Sequence, residues 1–580
     1  MNKDILHTVK SVMGCLLMAS LAAGCAQEDI GTVPTGGGGM SASSYVSFSF
    51  ASPQGAPTRS NPTGGETGDG PETGQDYENE IKTAVAFFYQ GTEQEGVNSA
   101  GNIPIKAAVT FSMANYTEPG NGIDRTYTTA AKQVDLENGT YNVIVVANPG
   151  TDWWTGRSLK LADVRDYIQT TAWTASGSDY SNFVMTSAAD ATLTLNSNPE
   201  SNPATAEVNV ERMAARLDYK TTGTYTCDDP AYPGATVEIT GAALVNNLTA
   251  GSYLLKRVAA DVNGTNLSYL GDETADANYV ATNYVLDPWT AVKTSTNNSF
   301  TIGGETKTAE DLYGEWFGNI SQDPNHWAAY VQPGTEVTVG TEKWQRIGYT
   351  LENTTAAEEA GKRYSTGVVF KAKFHPQGVA NYQNGATFFA YGTKIYASME
   401  DMMAGFYGSE FADLDNITSC ATWGDVKQFI TSTLLTNDPS GYNKYLEGLA
   451  EGKDDTEAVA GASLTWSNYM LNECGYSKDE NGKVVLDQNG KVTRIALKPY
   501  GTRTYEDATC YYTWWVRHSN DNDDTKKGIM EYAIVRNNIY KLTVNSIYSL
   551  GGPVPGEDEN IILDVYVNDW LLLDNETLPM

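Results

Sequence analysis

Apolar residues recur at every second position in one segment after another of this chain, a spacing that suits pleated strands. In YVSFSFA, Val46, Phe48 and Phe50 alternate with Tyr45, Ser47 and Ser49, which marks a strand with one face in a core. The same habit runs through IKTAVAFFYQ, ENGTYNVIVVANPG and VERMAARLDYK, and returns in IYKLTVNSI and ILDVYVNDWLL near the C-terminus. Asn-Gly steps in DENGKVVLDQNGKV supply the positive φ of tight hairpins, so a meander is expected there. Helical spacing is confined to short stretches: LADVRDYIQTT, SMEDMMAGFYG, TWGDVKQFITSTLL and YNKYLEGLAEG. The expected fold class is mainly β, with helices decorating the sheets of the C-terminal domain.

A chain of 580 residues exceeds what one hydrophobic core usually holds, so two tandem β-sandwich domains are expected. The polar stretch NSNPESNPATA places their boundary near Pro203, giving an N-terminal sandwich over 60–203 and a C-terminal one, with insertions, over 204–550. A Gly/Pro/acid linker then leads into a closing strand, together 551–580. Lys and Arg total 38 against 71 Asp and Glu, a net charge of -33, which repels phosphate backbones and argues against nucleic acid as a partner.

The first 24 residues carry Lys3 and Lys10 and then VMGCLLMASLAAG, an apolar run of signal-peptide length. The run ends in SLAAGC, similar to a bacterial lipobox, which makes Cys25 the lipidated residue; a plain signal-peptidase cut near Ala23 is the alternative. Residues 25–59 then form a propeptide that includes the first strand. After that strand comes SPQGAPTRSNPTGGETGDGPETGQDYENE, an exposed loop in which Arg59 is the sole basic residue before Lys82. With Cys15 removed and Cys25 acylated, Cys227, Cys420, Cys474 and Cys510 remain. A disulfide among Cys420, Cys474 and Cys510 and buried free thiols are the two alternatives, and the spacing fits no zinc site.

Catalytic constellations are absent from the pattern. His326, His375 and His518 stand in PNHW, KFHPQG and VRHSND without a second ligand or nucleophile at working spacing, and read as surface or turn residues. NDNDD at 520–524 lacks the glycine and glutamate of a calcium loop, so no metal site or cofactor is expected. The pairs Trp153/Trp154 and Trp514/Trp515 could stack on sugar rings, the basis of an alternative reading as a surface carbohydrate-binding lipoprotein. Core packing of at least one ring in each pair is the simpler reading. No carboxylate pair stands out for glycoside hydrolysis, and the chain is read as no enzyme.

The AAGC leader, the early strand before Arg59, VERMAARLDY, GIMEYAIVRNNIYKLTVNSIYSLG and the closing ILDVYVNDWLL together resemble the major-subunit fimbrillins of Bacteroidia, the type V pili. Val567 and Trp570 form the V-x-x-W ending of that pattern. The resemblance implies transthyretin-like, Greek-key sandwiches and a lipid-anchored precursor at the outer membrane. It implies an Arg-specific protease that cuts between Arg59 and Ser60, after which a leaving strand with Tyr45, Val46, Phe48 and Phe50 departs. The segment of another subunit corresponding to Ile562, Val565, Val567, Trp570 and Leu571 would then fill the gap by strand donation. Partners would be copies of itself and the anchor and tip accessory subunits of a fimbrium that supports adhesion and virulence. A stalk position is expected, with a tip adhesin as the alternative.

Replacing Cys25 by Ser is expected to abolish partitioning of the expressed precursor into the detergent phase; unchanged partitioning would show that Cys25 carries no lipid.

Overall fold

In this computed structural model the described residues are 43–51, 71–91, 103–115, 127–177, 179–258, 285–293, 299–302, 305–320, 324–355, 364–398, 401–402, 502–518, 530–556 and 561–571. They are mainly β, arranged as several sheets around separate cores. The meander expected at DENGKVVLDQNGKV and three of the four helical stretches lie largely or wholly outside the described residues; the fourth gives the short helix Leu161–Arg165.

Alternation places Val46, Phe48 and Phe50 on the inner face of the strand Ser44–Ala51, where all three are buried. That strand lies inside a nine-stranded sheet. It runs parallel to Ala204–Arg212, with Val46 opposite Ala204 and Phe50 opposite Val208. On its other side it is antiparallel to Tyr127–Thr129 and to Lys132–Val134. The sheet continues through Ile105–Asn115, Thr83–Tyr89 and Gly139–Ala147. It closes on itself because Met185–Ser187 pairs with both Gly139–Ala147 and Ala204–Arg212. Inside sit Val46, Phe48, Phe88, Phe111, Val143 and Val208, among others. The opposite face of Thr83–Tyr89 is also buried, under the helices Pro288–Lys293 and Ala309–Trp316, with Phe87, Trp289, Leu312 and Trp316 in one cluster.

The second sandwich faces a six-stranded sheet against a four-stranded one. The first has the order Pro71–Thr73, Ile561–Leu571, Asn538–Ile547, Ala215–Lys220, Glu342–Thr350, Thr335–Val339. The second has the order Thr224–Thr226, Thr236–Val245, Gly367–His375, Thr509–Trp515. Leu217, Phe370, Tyr512, Leu542 and Val565 meet between them.

The change from one sandwich to the other comes after Arg212 rather than near Pro203. The polar run before Ala204 is a loop, but the strand following it is held in the first sheet by its parallel pairing with Ser44–Ala51, a contact between segments far apart in sequence. Likewise Pro71–Thr73, expected in the N-terminal sandwich, is an edge strand of the second, parallel to the end of Ile561–Leu571. His518 is buried rather than superficial: its Nδ1 lies 2.8 Å from the Tyr540 hydroxyl.

Trp570 ties the two bodies together. Its strand belongs to the second sheet, yet its fully buried indole lies in the first core, parallel to the Tyr349 ring at 6.0 Å and edge-on to Phe183. Gly74 packs so closely on the indole nitrogen that a Cβ there would collide with it. Trp570→Ala is expected to lower the unfolding free energy by about 3–5 kcal/mol, as for other fully buried aromatics; denaturant titration of the full chain with an unchanged midpoint would refute this linking role.

Candidate assembly site

The slot that holds the first strand is built from both of its neighbours. Phe48 lies edge-on to Phe111 with ring centres 5.2 Å apart and approaches Phe88 at 6.3 Å. Val46 and Phe50 flank it in the same core, while Tyr45 is half-buried on the opposite face. Burial of the three apolar side chains contributes about 1.5–3 kcal/mol each. The backbone is engaged as well: the Tyr45 N–H donates to the Asn198 carbonyl at 2.9 Å, and the Phe48 N–H donates to the Thr129 hydroxyl at 2.9 Å. Were this strand to leave, it would expose an apolar groove and two rows of unpaired N–H and C=O groups, a state that calls for another strand.

A different kind of contact holds the chain just beyond 52–70, the segment that contains Arg59. Glu72 and Glu78 reach into the junction and meet Arg216, whose guanidinium also pairs with Asp218. Glu78 stands 2.9 Å from Arg216 and Asp218 2.8 Å, and none of these side chains reaches solvent to any extent. Glu72 is shared with Lys541, and Glu78 also accepts from the Tyr349 hydroxyl. Arg212 donates to the carbonyls of Glu78 and Trp570 and to the Asn79 side chain, with its guanidinium 4.5 Å from the Trp570 ring centre.

Three cations, Arg212, Arg216 and Lys541, thus face three carboxylates, Glu72, Glu78 and Asp218. Burial pushes Arg212 down to about 10, against the attraction of Glu78. Burial acts on Arg216 in the same direction, but Asp218, Glu78 and Glu72 outweigh it and hold that guanidinium well above its ordinary value. Burial raises Asp218, and Arg216 opposes the rise.

The expected donor segment is held by this same cluster. Ile561–Leu571 pairs antiparallel with Asn538–Ile547 along its length and with Pro71–Thr73 at its end. Alternation turns Ile561, Val565 and Val567 into the second core and leaves Ile562 half exposed at 51% on the other face. Ile562 therefore cannot share a groove face with Val565 and Val567, contrary to the expected set. Trp570 is in the first core, and the side chain of Leu571 lies outside the described residues.

Cys25, Arg59, Ser60, Cys420 and Cys474 also fall outside them, as does NDNDD. Cys510 is a free, buried thiol whose pKa burial pushes up to about 12, which makes it unreactive near neutral pH. Trp153 stacks on Tyr167 at 4.0 Å, Trp154 and Trp514 are core residues, and Trp515 packs edge-on to Trp327. These ring faces are engaged within the protein. Ser47, Thr129 and the charged cluster carry no signal in the sequence, because serines, threonines and charges in a strand ordinarily face water.

Residues 503–576 match the family described as major fimbrial subunit protein type IV, fimbrillin, C-terminal. The matched stretch includes Thr509–Trp515, Asn538–Ile547 and Ile561–Leu571 of the second sandwich. No curated protein matches the chain. Among solved structures, a putative cell adhesion protein from Parabacteroides distasonis is 11% identical, with 91% of this chain and 100% of that chain covered and a TM-score of 0.37. A fimbrilin from Porphyromonas gingivalis is 14% identical, covering 91% and 98%, with a TM-score of 0.31. The C-terminally truncated tip fimbrial protein Mfa3 from the same organism is 10% identical, covering 91% and 100%, with a TM-score of 0.29.

Arg216→Leu leaves Asp218 without its cation and removes one partner each from Glu72 and Glu78, and is expected to cost about 3–5 kcal/mol, the range for breaking a buried ion pair from one side. A loss below about 1 kcal/mol in denaturant titration would show that the cluster is open to water.

Proposed function

We propose, on the premise that its C-terminal region is a fimbrillin region and the chain a fimbrial protein, that it is a structural subunit assembled by strand exchange after proteolysis. One observation carries the reading. Ser44–Ala51 is paired on both sides inside the first sheet and fills its core, yet it precedes 52–70, where a cut after Arg59 would separate it from the rest. Loss of that strand would open a groove that another subunit's strand completes, the β-augmentation mode of recognition. In this reading 25–59 is the propeptide, Cys25 anchors the precursor to the outer membrane, and an Arg-specific protease releases the strand. The mature subunit joins copies of itself and the anchor and tip subunits in the fimbrium, as a stalk component supporting adhesion.

A second reading, a tip subunit, is favoured by the C-terminal strand. Ile561–Leu571 is held in its own sheet by the buried charges around Arg216, so this stretch is not a free donor. Such a chain accepts a strand and donates none from that segment.

Digestion of the purified precursor with an Arg-specific protease, followed by mass spectrometry and electron microscopy, tests both. Cleavage after Arg59 with fibres supports the stalk; cleavage with capture of other fimbrial subunits but no homopolymer supports the tip. Arg59→Ala is expected to block maturation. A cleaved chain that keeps residues 44–51 in place and stays monomeric with every subunit offered would overturn both.

A further inference from the structure

The slot around the first strand is more than a trough of apolar pockets. Opposite Ser47 and Phe48 the partnering chain bulges: Val46 pairs with Lys132 and Ser49 with Thr128, so two residues face the three at 129–131. Thr129 repairs the break with its side chain. Its hydroxyl accepts the Phe48 N–H at 2.9 Å, and its carbonyl accepts the Ser47 hydroxyl at 2.8 Å. Both Ser47 and Thr129 are buried, and alternation puts Ser47 on the face of its strand away from Val46, Phe48 and Phe50. At the entrance, the fully buried Ser44 hydroxyl accepts the Asn198 N–H at 3.2 Å.

Resting on the exchange reading above, we infer that the slot selects a neighbour's strand by two buried hydroxyls as well as three apolar side chains. The strand it takes has the pattern Ser/Thr, any, apolar, Ser/Thr, apolar, any, apolar, set by positions 44 to 50. A larger aliphatic residue at the Ser47 position would leave the Thr129 carbonyl without that donor and would crowd a closed space. A strand with only the apolar alternation is therefore a poor occupant. Ile561–Leu571 is such a strand: IILDVYVNDWL contains no Ser or Thr. The slot therefore ranks a hydroxyl-bearing strand above the Ile561–Leu571 segment of a second copy.

The full chain cleaved after Arg59 is incubated with labelled peptides, SYVSFSFA with its variants and the eleven-residue IILDVYVNDWL, and bound and free peptide are separated by size exclusion and quantified by anisotropy. The parent peptide SYVSFSFA and its Ser47→Thr form are expected to bind. Ser47→Val is expected to bind about tenfold more weakly or worse, the loss that follows from one unpaired buried group, and Ser44→Ala more weakly by a smaller factor, because the Asn198 N–H it leaves is only half-buried. Phe48→Ala loses binding through its empty pocket. Ser47→Ala, which removes the hydroxyl without adding bulk and so leaves the Thr129 carbonyl without its donor, should also bind more weakly, a loss that simple crowding would not produce.

Equal binding of the parent and Ser47→Val on the unaltered chain, or of IILDVYVNDWL and the parent, overturns the selection rule while leaving strand exchange intact. Failure of every peptide, the parent included, overturns the rule together with the exchange reading.

Discussion

The junction of the two sandwiches rests on a cluster of buried, mutually opposed charges. Each ion taken singly would cost several kcal/mol to remove from water, so the cluster is tolerable only when all its members are in place. Its members come from four separate parts of the chain: Glu72 and Glu78, Arg212 with Arg216 and Asp218, Lys541, and the Trp570 carbonyl. No one sandwich supplies the set. The junction is therefore specified by charge pairing, with Trp570, Tyr349 and Phe183 packed around it.

That arrangement separates two kinds of strand. Ser44–Ala51 is held by apolar contacts, backbone pairing and a pair of neutral hydroxyls, all of which an equivalent strand can reproduce. The chain from Pro71 onward is held by carboxylates that meet particular partners, which an unrelated segment cannot imitate. Between them lies 52–70. In the proposed reading, a cut there releases the interchangeable element and leaves the irreplaceable one anchored.

Much of this was legible in the residues. The alternation of Val46, Phe48 and Phe50 put the right side chains in the first core, and the VERMAARLDYK, IYKLTVNSI and ILDVYVNDWLL segments are strands. What escaped depends on pairing at a distance. Ala204–Arg212 follows a loop-like run and looks like the start of a new domain, yet its place is decided by residues 44–51. Pro71–Thr73 has three residues and no periodicity, so nothing local marks it as a strand. Arg216 and Asp218 read as the solvated side of a strand, and their burial follows only from acids contributed by residues 72 and 78. Trp570 stood out by its spacing from Val567, but its projection into the other sandwich is a tertiary fact.

Ser44–Ala51 runs parallel to Ala204–Arg212 and antiparallel to the strands on its other side. A substitute that keeps these hydrogen bonds has only one sense of entry, so every joint repeats the same head-to-tail relation between unlike surfaces. Propagated from one chain to the next rather than swapped reciprocally between two, contacts of that heterologous type produce an open helix or a ring. An open assembly made through this slot would consequently be directional, with chemically distinct ends.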